Sequence, residues 1–167
     1  MIFTLGKIHD LIVRDLVVNV DDRGTLVEVL RTDWCEVDKI LRMNSGGAVN
    51  QVYVIQNHDN SIRAFHKHQR LIDFFILVQG VAKFIFYDDR KDSPTQGTGQ
   101  IVNVCDKKLQ MITVPTGVFH GWRGSKGSIL VSVANSLYMG VEKRGPLDEV
   151  RIPWNEFGTE IWETKFK

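Results

Sequence analysis

The feature that most constrains this chain is a succession of short segments rich in Val, Ile and Phe, each closed by Gly, Asp, Asn or Pro. "LIVRDLVVNV" runs into the turn "DDRG" and then "TLVEVL"; "NQVYVIQ", "DFFILVQG", "VAKFIFYDD", "GQIVNV", "QMITVP" and "SILVSVAN" follow. β-Branched and aromatic residues suit a pleated surface, and the punctuating residues supply turn geometry. So many strands at close spacing predict an all-β barrel or double-sheet jelly roll. Helical periodicity is confined to residues 32–43, "TDWCEVDKILRM", where Trp34, Val37, Ile40 and Leu41 fall near one face and predict a short helix.

Composition narrows the functional classes. The 167 residues, 43% hydrophobic and 25% charged, match one ordinary globular domain over residues 1–167. Lys and Arg total 21 against 20 Asp and Glu, a formal charge of +1, so no global field recruits nucleic acid or an anionic membrane. An anionic ligand must instead be held by local arginines. Lys7, Asp10, Arg14 and Asp15 interrupt the amino-terminal apolar stretch, and no apolar run is long enough to span a bilayer, so a soluble cytoplasmic protein is expected. Cys35 and Cys105 are too far apart for a CxxC motif and read as reduced thiols.

Two connecting segments carry their own expectations. "YDDRKDSPTQGTGQ" reads as a long polar hairpin connection, with Asp88, Asp89, Arg90, Lys91 and Asp92 as a solvated charged turn. "PWNEFGTEIW" places Trp154, Phe157 and Trp162 in a closing segment that docks on the body of the protein or on a second subunit.

Chemistry concentrates in two histidine segments. In "IRAFHKHQRLIDFFILVQG", residues two apart share a strand face, so His66 and His68 point inward together. Asp73 shares a face with Phe75 and Leu77, an apolar setting in which a carboxylate needs a partner. "PTGVFHGW" adds His120 after a Pro-x-Gly turn. Three imidazoles and one carboxylate form a mixed N/O set suited to Zn, Fe, Ni, Mn or Cu. The alternative is metal-free, with His66 and His120 lining a pocket and His68 hydrogen-bonded to Asp73.

The spacing of His66, His68, Asp73 and Gly80, followed by Pro115, Gly117 and His120, resembles the two motifs of the cupin superfamily. That resemblance implies a double-stranded β-helix, or jelly roll. Aspartate stands where the cupin motif usually has glutamate, the first motif lacks its leading glycine, and Gly124 replaces a terminal Asn.

Five ordered blocks resemble a metal-free branch of that fold, the dTDP-4-dehydrorhamnose 3,5-epimerase family. They are "DDRGTLVEVL", "SIRAFHKHQ", "YDDRKDSPTQG", "VPTGVFHGW" and "VRIPWNEFGTEIW". The resemblance implies an isomerase acting on a dTDP-linked 4-keto-6-deoxyhexose, with a sugar nucleotide as partner, no cofactor and a homodimeric assembly. It implies His66 as base, Arg63 as a phosphate anchor, Arg23 and Glu28 as nucleotide and sugar contacts, often across a subunit boundary, and His120 as a pocket residue. Asp73 stands where the family has a lysine near the enolate oxygen. The family's tyrosine position falls near Val133, with Tyr138 five residues on as the candidate acid. The family's later aspartate has no match after Trp162.

Those substitutions also complete a cupin ligand set of His66, His68, Asp73 and His120, through which a divalent transition metal would take over the lysine's role. Three functions therefore stay open: a nucleotide-sugar epimerase or isomerase, a metal-dependent cupin enzyme acting on a small polar substrate, and a non-catalytic sugar-nucleotide-binding cupin.

Overall fold

The computed structural model describes residues 3–45, 49–58, 61–138 and 148–164. In chain order the strands are β1 (Thr4–Leu5), β2 (Ile12–Asp15), β3 (Val18–Asp21), β4 (Gly24–Val27), β5 (Gln51–Gln56), β6 (Ile62–Lys67) and β7 (Asp73–Gln79). They continue as β8 (Val81–Asp88), β9 (Thr98–Cys105), β10 (Gln110–Val114), β11 (Val118–Gly124), β12 (Ile129–Ala134) and β13 (Val150–Arg151). An α-helix, α1 (Cys35–Ser45), separates β4 from β5, and a 3-10 turn spans Glu160–Trp162.

Two sheets carry the architecture, ordered β1-β9-β8-β11-β6-β13 and β2-β10-β7-β12-β5, while β3 and β4 form a separate hairpin. From β5 to β13 the chain crosses between the two sheets at every connection except β8–β9. This is a cupin-type jelly roll, closed by strand alternation: each strand turns one set of side chains inward. Phe75, Leu77, Phe84, Phe86, Ile112, Trp122 and Leu130 fill the space between the sheets. Trp122 stacks on Phe84 at 5.8 Å between ring centroids, a filler of the interior.

Both outer faces are covered. Helix α1 lays Val37 and Leu41 against Phe74, Ile76 and Met111, which at roughly 1.5–3 kcal/mol per buried aliphatic side chain fixes the helix to the sheet. The helix begins later than residue 32, where Asp38 N–H reaches the Trp34 carbonyl at 2.8 Å; the Ile40 side chain lies outside the described residues. On the opposite face the closing segment docks Phe157 and Trp162 onto Phe65, with ring centroids 5.0 and 5.3 Å away. Phe157 and Trp162 thus pack on the body of this chain, whereas Trp154, expected to dock with them, is exposed.

After the Pro-x-Gly turn the segment bearing His120 continues as the central strand β11, paired with both β8 and β6. Two expectations need correction. "LIVRDLVVNV" is two strands, because Ile12–Asp15 pairs with β10 whereas Val18–Asp21 turns back onto β4. Asp88 is not a solvated turn residue but fully buried. Its carboxylate accepts hydrogen bonds from Arg90 Nε (2.8 Å), Arg90 Nη2 (2.8 Å), Ser93 Oγ (2.6 Å) and Thr95 Oγ1 (2.6 Å).

Candidate active site

At one end of the interior β6, β7, β11 and β12 bring polar side chains together. His120 on β11 stands directly across from His66 on β6, with ring centroids 4.2 Å apart. His68 follows β6 and lies 5.3 Å from His66 and 5.7 Å from His120, centroid to centroid. Asp73 opens β7, on the same face as Phe75, whose ring lies 5.7 Å from His120. One donor atom from each of His66, His68, Asp73 and His120 lies within 4.8 Å of the others. The sequence motifs therefore converge on one spot.

The two histidine motifs are fastened to each other. Gly117 N–H donates to the His68 carbonyl at 2.7 Å. Gly117 has φ +78°, and a Cβ there would meet Arg90 Cγ at 2.6 Å, so only glycine makes this turn without strain. Asp148 clamps the chain after β6 by accepting the backbone N–H groups of Gln69 (3.1 Å), Arg70 (2.8 Å) and Leu71 (2.8 Å). Asn135 Oδ1 accepts Ile72 N–H at 2.7 Å, which sets the start of β7.

Arg63 and His66 lie three apart, a spacing that in a regular strand puts them on opposite faces. In the β6–β11 register, however, Trp122 pairs with Arg63 and His120 with His66. A bulge on β6 absorbs the extra residue and returns both side chains to the same face. Arg63 is exposed at the rim, its Nε 3.4 Å from Asn57 Oδ1. Sequence spacing alone gave no sign of this.

The electrostatics differ around the cluster. Burial, reinforced by His120, His68 and Arg151, pushes the conjugate acid of His66 far below the usual imidazole range, so its ring is neutral. Half-buried Tyr53 on β5 faces Ser132 across β12, and burial followed by the Asp73 charge raises its phenol above the ordinary range. Ser132 Oγ in turn donates to Asp73 Oδ1 at 3.4 Å.

Tyr53 escaped attention in the sequence, although "QVYVIQ" alternates and places Gln51, Tyr53 and Ile55 on the less exposed face. Arg151 was also missed; it pairs with His66 across β13–β6, with its guanidinium held by Glu149. Tyr138 is exposed, its backbone N–H donating to Gln51 Oε1 at 2.6 Å. Arg23 and Glu28 lie in and just after the β3–β4 hairpin, in ion pairs with Asp21 and Arg31 respectively.

A jelly roll with three imidazoles, a carboxylate and a tyrosine at one end of its interior, and exposed arginines beside them, defines a cupin-type protein equipped for proton transfer or metal binding. A model of the dTDP-4-dehydrorhamnose 3,5-epimerase family matches residues 6–161. The chain is 38% identical over 154 residues to the probable low-salt glycan biosynthesis epimerase Agl13 of Haloferax volcanii, covering 90% of this chain and 91% of the relative. The rmlC epimerase of Mycobacterium tuberculosis has the same fold, with a TM-score of 0.76 at 19% identity over 99% of this chain and 78% of the other. So does ChmJ, a 3'-monoepimerase from Streptomyces bikiniensis solved with dTDP-quinovose, with a TM-score of 0.75 at 20% identity over 95% and 76% of the two chains.

The chain belongs to the dTDP-4-dehydrorhamnose 3,5-epimerase family. It is thereby a member of a family of dTDP-sugar epimerases and isomerases. Among the described residues, no helix is long and apolar enough to cross a membrane.

Proposed function

We propose that this protein epimerises or isomerises a dTDP-linked 4-keto-6-deoxyhexose, with His66 as the base. The observation that carries this reading is the position of His66, at the polar end of the interior, directly across from His120 and on the same strand face as the phosphate-anchoring candidate Arg63. A 4-keto group acidifies the hydrogens on the adjacent ring carbons. His66 takes one as a proton, the C–H electron pair enters an enolate, and a proton returned to the opposite face inverts the carbon. Arg63 suits the diphosphate because its guanidinium forms paired hydrogen bonds to phosphate oxygens.

Tyr53 and Tyr138 are the two candidate acids. Tyr53 is favoured by its half-buried place beside Ser132 and Asp73, whereas Tyr138 stands at the exposed rim. Arg23 and Glu28 serve the pocket of a second copy in this reading. The hairpin exposes Val18 and Val20 on one face and Leu26 on the other, apolar surface suited to pairing.

The test is NMR of dTDP-4-keto-6-deoxyglucose in deuterium oxide. Enzyme-dependent loss of the C3 or C5 proton signal is expected, slowed roughly 10²- to 10⁴-fold in His66→Asn, as loss of a general base implies. Absence of exchange at both carbons with the folded protein, before and after metal addition, removes this substrate.

A further inference from the structure

The donor roles at the polar end do not balance with the hydrogen atoms that the backbone assigns. His68 donates its Nδ1–H to the Asp148 carbonyl, and His120 donates its Nδ1–H to the Val118 carbonyl at 3.0 Å. In a neutral imidazole one nitrogen donates and the other accepts, so each Nε2 is left as a bare lone pair. Those two nitrogens stand 3.5 Å and 3.4 Å from Asp73 Oδ2, itself an acceptor. Three acceptors thus face one another.

Two of the three are also sealed from solvent. Asp73 Oδ2 and His120 Nε2 are buried without a hydrogen-bond partner among the described residues. Buried polar groups are ordinarily satisfied, and an unsatisfied pair aimed at one point marks an absent positive group. The backbone carbonyls behind His68 and His120 supply what metal-bound histidines usually have, a hydrogen bond from the far nitrogen that fixes tautomer and direction.

We propose that His68, Asp73 and His120 bind a divalent transition-metal cation through two Nε2 atoms and a carboxylate oxygen, leaving His66 beside it to serve as base. Two imidazoles and a carboxylate form a set used for catalytic zinc and non-haem iron, with positions left open for other ligands. His66 differs from its neighbours: its ring is less buried, and among the described residues no hydrogen bond fixes it. A cation bound here supplies a Lewis acid for a substrate oxygen, at the position where Asp73 replaces the lysine of the family pattern. The site stands on its donor geometry, independent of the epimerase reading.

The test measures the metal before any turnover. Full-length protein, stripped with chelator and desalted, is titrated with Co(II) and separately with Zn(II), and its metal content is determined by mass spectrometry. The expected result is about one ion per chain, visible d–d absorption with Co(II), and a Tm higher by roughly 5–10 °C when free metal is 100-fold above Kd. Asp73→Asn and His68→Asn should lose the absorption while keeping the circular dichroism of the folded protein, and His66→Asn should retain it.

Wild-type protein that neither holds a stoichiometric ion nor shifts in Tm with either metal overturns the site and leaves a proton to bridge the acceptors. Loss of the ion in folded His66→Asn overturns the assignment of three donors. Because these readouts need no sugar nucleotide, failure of metal binding and failure of enolisation are separately visible.

Discussion

Two aspartates lie equally deep in this molecule and are treated in opposite ways. Asp88, at the end of β8, is surrounded by donors: the Arg90 guanidinium, two hydroxyls and the Arg90 backbone N–H. Asp73, at the start of β7, receives a long bond from Ser132 on one oxygen, while its other oxygen faces the Nε2 atoms of His68 and His120 at 3.5 and 3.4 Å. Burial penalises an ionised carboxylate in either place. Asp88 is compensated within its own loop and holds the β8–β9 connection together. Asp73 has no such set of donors among the described residues, and in the proposed metal site a cation from solution takes their place.

The largest effect that would test this contrast is on stability at Asp88. Asp88→Ala leaves Arg90 partly buried beside hydroxyls that have lost their acceptor, and breaking such a pair typically costs about 3–5 kcal/mol. For a chain of this length that lowers Tm by roughly 6–20 °C, measurable by calorimetry on chelated protein. A loss of only a degree or two would make the Asp88 network decorative and erase the distinction.

A smaller effect concerns acid. Burial works to raise the Asp88 carboxyl, but the hydrogen bonds from Arg90, Ser93 and Thr95 outweigh it and hold the group well below its ordinary value of 3.8. Since the folded value lies below the unfolded one, the stabilisation is complete above the unfolded value and is lost as pH falls toward the folded one. Wild-type Tm should therefore drop more steeply than that of Asp88→Asn below about pH 4, and coincident slopes from pH 5 to pH 2 would exclude Asp88 from the acid response.

The fold was readable in the sequence because strand alternation and turn residues are local signals. "DFFILVQG" and "VAKFIFYDD" became β7 and β8 with their interior sides as alternation implies. The convergence of His66, His68, Asp73 and His120 was legible from motif spacing, since β11 pairs with β6 and the short β6–β7 connection returns Asp73 to the same end. What stayed hidden depends on register. The bulge that brings Arg63 onto the face of His66 exists only in the pairing with β11, and Tyr53 reaches the cluster only because β5 lies beside β12. Asp88 was misread because a charged run looks solvated until the loop folds back over it.

The smallest effect is the sharpest test of the contrast. In metal-free protein Asp73→Asn keeps the size of the side chain, removes a buried negative charge and replaces one acceptor by an N–H₂ donor aimed at His68 Nε2 and His120 Nε2. A net gain near that of one hydrogen bond, about 0.5–1.5 kcal/mol, should follow, raising Tm in chelator by roughly 1–6 °C. Asp88→Asn has the opposite sign, because the new amide sets its own N–H₂ against hydroxyl and guanidinium donors. If Asp73→Asn instead lowered Tm by several degrees without metal, the carboxylate would already be paired with a protonated histidine, and both aspartates would be self-compensated. A rise for Asn at 73 with a fall for Asn at 88 would leave only the first as a carboxylate whose partner arrives from solution.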